Sequence, residues 1–145
     1  MFKHLLVPTD GTALSEGAVQ IAVRLARLFQ ARLTGLHVIP EYRVFTHRIE
    51  MLEDERERYA QLAEQHAAHY LGVIEQAAKD ASVECEAICV TADHPYETII
   101  RIVEERNCDL IVMASHGQAG VGALLIGSET QKVLTHCKIP VLVCR

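Results

Sequence analysis

Apolar residues along this chain fall into two alternating kinds of segment. Short, largely apolar runs stand at Phe2 to Val7, Leu33 to Ile39, Val83 to Val90, Leu110 to Ala114 and Pro140 to Cys144, the fourth of them uninterrupted. Their length and their Val, Ile and Leu content are those of buried strands. Pro8-Thr9-Asp10-Gly11 closes the first and Pro40 the second, because proline cannot donate within a central strand. The intervening stretches repeat with helical period. From Ala13 to Phe29, Leu14, Ala18, Ile21, Ala22, Leu25, Leu28 and Phe29 recur at three- and four-residue steps, with Arg24 and Arg27 on the opposite side. Glu50 to Asp80 is a long helix that aligns Tyr59, Leu62, Ala63, His66, Tyr70, Ile74, Ala77 and Ala78 on one face. Its alternating early charges, with Asp54 and Arg58 at helical spacing, read as a solvated surface. Pro95 opens a third helix behind Asp93 as a cap, carrying Ile99, Ile100, Ile102 and Val103. Ser128-Glu129-Thr130-Gln131 has the form of a capping box for a short fourth helix ending near His136 and Lys138. Residues 41–50 show no clean period and read as a loop or a ragged helix start.

Five strands separated by four helical segments predict an α/β domain over residues 1–145, a doubly wound five-stranded parallel sheet with helices on both faces. No internal repeat or linker divides it. In such a sheet, ligands bind beyond the carboxyl ends of the strands, where the strand order reverses. The loops after the strands are therefore where chemistry is expected.

Composition narrows the function without naming it. Half the 145 residues are apolar and 23% are charged, which is ordinary for a globular domain with one core. A net charge of −5 with no dense basic run speaks against nucleic acid as a partner. No window approaches the ~18 apolar residues of a membrane span, and the apolar stretch at the start is too short for a signal peptide, so the cytoplasm is expected. The five cysteines lack close CxxC spacing and read as buried thiols. Cys85 and Cys89, about 13 Å apart along a strand, cannot bridge each other. Among the eight histidines, His66 and His69 lie three apart but lack matched carboxylates, so no metal site is expected.

The richest segment runs from Ala114 to Ser128. The fourth strand ends in Met113-Ala114-Ser115-His116-Gly117, and ten residues after Gly117 a helix starts at Gly127-Ser128. Glycine lets the backbone approach phosphate oxygens, while the exposed N–H groups and dipole at a helix N-terminus favour anions. Main-chain donors near Gly117 and Gly127 are expected to converge on one anion pocket beside Asp10. Spacing alone leaves a second reading open, a tight turn that merely packs. Gly117-Gln118-Ala119-Gly120-Val121-Gly122 is not a dinucleotide fingerprint, and the Walker-like spacing of Gly122 to Glu129 puts Ser and Glu where Lys and a Mg²⁺-binding hydroxyl would stand, which excludes a P-loop NTPase. Ser115-His116 resembles a nucleophile and base, but neighbours in an extended segment point apart and no third group orients them. His116 is expected instead to order the loop or touch a phosphate. No catalytic residue is expected.

These residues resemble the universal stress protein family. Its nucleotide signature is Gly-x2-Gly-x9-Gly-Ser/Thr, and this chain reads Ala114-x2-Gly117-x9-Gly127-Ser128. Pro8-Thr9-Asp10, His37-Val38-Ile39 and the closing Ile139-Pro140-Val141-Leu142-Val143 also match, so that the resemblance spans residues 1–145. It implies a Rossmann-like, adenine nucleotide α-hydrolase-like fold that binds ATP or a related adenine nucleotide, with Mg²⁺ or Mn²⁺ carried by the phosphates. By position, Pro8, Thr9 and Asp10 would lie near adenine and ribose, and Val38 would offer its backbone to the base. Gly117, Gly127, Ser128 and the N–H of Glu129 would line the phosphates, with Met113, Ala114 and His116 beside them. Ala114 departs from the signature's first glycine, and its methyl would crowd a phosphate if the backbone there had positive φ. The resemblance also implies a homodimer through Pro140 to Arg145 and a stress-response role in which nucleotide alters partner choice, the partner being unidentified. A dimeric interaction module without nucleotide is the alternative, and a slow ATP hydrolase ranks last.

Overall fold

Alternate residues of a strand face opposite sides of its sheet, and here both sets are apolar, so each side must be covered. The computed structural model describes residues 1–42, 49–117 and 125–145 and, over 49–52, the backbone alone. It contains β1 (His4–Pro8), β2 (Arg32–Ile39), β3 (Cys85–Thr91), β4 (Leu110–Ala114) and β5 (Val141–Cys144), with helices α1 (Ala13–Phe29), α2 (Ile49–Asp80), α3 (Pro95–Arg106) and α4 (Ser128–His136). The strands form one sheet in the order β3-β2-β1-β4-β5, parallel at every pairing. The doubly wound architecture expected from the sequence is the one observed.

Two cores follow from the alternation. Leu5 and Val7 of β1, Leu33 of β2 and Leu110 and Val112 of β4 pack under α1 and α2, against Ala18, Ala22, Leu71, Ile74 and Ala78. Leu6, Leu36, Ile111 and Met113 point the other way, into Ile99, Ile102, Val103 and Val133 of α3 and α4. Leu5, Leu6, Leu36 and Ile111 are completely buried. Side chains of this size each contribute about 1.5–3 kcal/mol relative to exposure. Gly35 sets how closely α2 approaches β2, since a Cβ there would stand 2.9 Å from Ile74 Cδ1.

Several boundaries differ from the expected ones. β1 runs through Pro8, registered with Leu36. Thr9 N–H donates to Leu36 O on the β2 side, so by alternation the missing donor of Pro8 faces β4, where pairing has already stopped at Leu6. The cap of α3 is His94 and not Asp93, and it makes no side-chain capping bond. For α4 the cap is Gly127, with Ser128 as the first helical residue, so the capping-box reading is displaced by one position. The irregular stretch 41–50 resolves into helix from Ile49 onward, and 43–48 lie outside the described residues.

Candidate functional site

Strand order fixes where the sheet can open. β1 pairs with β2 as far as Pro8 but with β4 only at Leu5 and Leu6 among the described residues, so the carboxyl ends of β1 and β4 part. At that reversal point lies a cavity of about 810 Å³, within the usual span of small-molecule sites, roughly 300–1,000 Å³. Every residue expected at the site borders it: Pro8, Thr9 and Asp10 after β1, Val38 on β2, Met113, Ala114, His116 and Gly117 at the end of β4, and Gly127, Ser128 and Glu129 opening α4.

The turn after β1 is held by its own side chains. Thr12 donates to Asp10 Oδ1 through both its N–H (3.1 Å) and its hydroxyl (2.7 Å), and as N-cap of α1 it accepts from Ser15 N–H. Asp10 is thereby fixed at the cavity floor. Its second oxygen lies so near Gly117 that a Cβ there would strike it, which explains glycine at that position by close approach. Gly11 has φ +80, and the ring of Tyr70 fills the space a side chain would need.

At the other side, β4 meets α4. Gly127 N–H donates to Ser115 O (2.7 Å), and a Cβ on Gly127 would lie 3.0 Å from His116 Cα. The expectation that this amide reaches an anion pocket is corrected: it is bound within the turn, because the chain doubles back on β4 there. The N–H groups of Ser128, Glu129 and Thr130 belong instead to the first turn, ahead of the first intrahelical bond, Gln131 N–H to Gly127 O (2.9 Å), and they receive no side-chain cap from Gly127. The Glu129 carboxylate accepts from Tyr96 N–H (2.9 Å), and the Thr130 hydroxyl donates to Ala114 O (3.0 Å). Ala114 is the last residue of β4, paired with Cys144, and is not among the residues with positive φ. Its methyl group therefore carries no backbone strain.

Ser115 and His116 do meet, contrary to expectation: Ser115 Oγ and His116 Nδ1 are 3.1 Å apart, because the chain bends at Ser115 instead of continuing extended. Ser115 is buried and does not border the cavity. A hydroxyl so placed has no approach to a ligand in the cleft.

Sequence reasoning missed one whole wall. Tyr59, Leu62, Ala63, His66 and Tyr70 line the cavity from α2, while Leu71, Ile74 and Ala78 of the same helix enter the core. Tyr59 donates its hydroxyl to Pro40 O (2.7 Å). Tyr70 lies edge-on to His37 (5.2 Å between centroids) and stacked with His66 (5.8 Å). His37 is buried, and its Nδ1–H donates to Thr9 O (2.8 Å). The helical period of these positions was visible, but periodicity does not tell a face that meets the core from one that meets a ligand.

The remaining candidate chemistry lies elsewhere. Cys108 and Cys144 are buried as expected, whereas Cys85 and Cys137 are half-buried and Cys89 is exposed, β3 being an edge strand that α2 only partly covers. Burial pushes the thiols of Cys85 and Cys108 up to about 11, and those of Cys89 and Cys144 upward as well. Thiols shifted that way are poor nucleophiles near neutral pH. Among the described residues no group of three His, Cys, Asp or Glu could hold a metal ion, and no helix is long and apolar enough to cross a membrane.

Comparison with known proteins agrees with this fold. The model of the universal stress protein family matches residues 1–145. Universal stress protein YxiE of Bacillus subtilis is 31% identical over 149 residues, covering all of both chains. Universal stress protein MJ0577 of Methanocaldococcus jannaschii is 29% identical over 157 residues, covering all of this chain and 96% of its own. The solved structure of MJ0577 superposes with a TM-score of 0.79 at 28% identity, over 99% of this chain and 96% of that one. The fold is shared with two more distant structures, a universal stress protein in complex with cAMP (TM-score 0.73, 22% identity, 99% and 97% covered) and one from Archaeoglobus fulgidus in complex with dAMP (0.63, 16%, 100% and 98%).

Proposed function

The chain belongs to the universal stress protein family, and from that premise we propose that it binds ATP or a related adenine nucleotide in the cleft between β1 and β4. The observation that carries this reading is that residues named from the glycine spacing and the family resemblance, in four separate stretches, border one cavity. Relatives of the same fold that hold cAMP and dAMP support the ligand class. Pro8, Thr9, Asp10 and Val38 receive the adenine and ribose. The phosphates sit at Gly117 and Gly127 and on the N–H groups of Ser128 and Glu129, whose helix dipole favours negative charge. With no metal-holding group among the described residues, Mg²⁺ or Mn²⁺ would depend on the phosphate oxygens.

Binding, without efficient turnover, is the proposed activity. Residues 1–145 act as one cytoplasmic domain, and occupancy of the cleft alters the stability of its loops or of a homodimer formed through Pro140 to Arg145. β5 is a sheet edge and Leu142 on it is 39% exposed, which suits strand-to-strand association.

Calorimetric titration with ATP, AMP and cAMP tests the reading, beside Ser128→Glu. A carboxylate in the first turn suits the helix but repels phosphate, so the variant should stay folded and bind at least about tenfold more weakly. Silence with every nucleotide would replace this reading with that of an interaction module.

A further inference from the structure

The cavity has two unlike ends. At α4 it offers backbone donors; at α2 it offers Tyr59, Leu62, Ala63, His66 and Tyr70, without a carboxylate, Lys or Arg among them. The α2 wall is tied to the ends of β2 and β1, through the Tyr59 hydroxyl on Pro40 O and through Tyr70 against His37 and Gly11. It therefore stands beside the ends of β1 and β2, near Asp10 and Val38, where the nucleotide reading puts the base. Leu62 is 53% exposed although it faces the cavity, and the stacked His66 and Tyr70 rings continue the same apolar surface. Apolar surface left wet inside a concave site is stabilised when an apolar group covers it. His66 is the one side chain among these five of a type that titrates near neutral pH.

Resting on the nucleotide reading above, we propose that the base end of the cleft accepts an apolar or aromatic substituent carried on the adenine ring, seated against Leu62, Ala63 and the His66–Tyr70 pair. The preferred ligand class is then a base-modified adenine nucleotide. The exocyclic amine is the natural point of attachment, because a group there extends the ring outward without disturbing ribose or phosphate.

Titration with AMP and with N6-benzyl-AMP, on the wild type and on Leu62→Gln, tests the proposal. Leu62 is exposed, so the substitution leaves the core intact. The benzyl compound should bind at least about fivefold more tightly than AMP, and the ratio should fall below about twofold in Leu62→Gln. A smaller gain, or one retained in the variant, overturns the proposal while leaving nucleotide binding in place. Failure of both compounds to bind overturns this proposal together with the reading beneath it.

Discussion

At the scale of single residues, the polar groups that matter most are those whose partners lie far away in sequence. His4 opens β1 with 5% of its surface exposed, its Nδ1–H donating to Arg106 O (2.9 Å) and its Nε2 facing the hydroxyl of Thr34 (2.7 Å). Burial, then the charge of Arg32, lowers its pKa below the ordinary 6.5. A group that resists protonation in the folded state takes up its proton more readily once unfolded, so its contribution is complete above pH 6.5 and is lost as pH falls below that value. Urea midpoints should decline between pH 7 and pH 5, and His4→Gln should flatten part of that decline. A variant whose pH profile runs parallel to that of the wild type would show that His4 is not responsible.

At the scale of elements, helix ends carry much of the specification. Glu129 reaches from the first turn of α4 to Tyr96 N–H, so α4 caps the start of α3. Glu129→Ala should lower stability by about 1 kcal/mol, seen in calorimetry as a melting temperature lower by roughly 3 °C. The N–H of residue 129 survives this change and a negative charge bordering the cavity is removed, so nucleotide affinity should not fall. This link was invisible in the sequence, where Glu129 read as part of a local capping box. The strands were legible from short apolar runs, the first two closed by Pro8 and Pro40, and the cleft residues from the glycines after β4 together with the family resemblance. Three features were not. The cap of α4 fell on Gly127 because Gly and Ser are both able to cap; Ser115 met His116 through a bend that residue type does not encode; and Cys89 was exposed because edge status depends on strand order, which is a property of the whole sheet.

At the scale of the molecule, the sheet has two edges, β3 and β5. The proposed pairing through β5 predicts that the wild type sediments as a dimer at tens of micromolar and that Leu142→Lys, which sets like charges across the two-fold axis, sediments as a monomer. A monomeric wild type would dismiss that interface. The architecture also places its longest helix in two roles. The C-terminal portion of α2 is bolted to the sheet by Leu71, Ile74 and Ala78, whereas Tyr59, Leu62, Ala63 and His66 form no part of the buried cores. Substitutions at such half-exposed or exposed positions commonly change stability by no more than about 0.5 kcal/mol. Scaffold and cleft lining are thus separated within one helix: a handful of exchanges among these residues would reshape the mouth of the cleft while strand register and helix packing stay as they are.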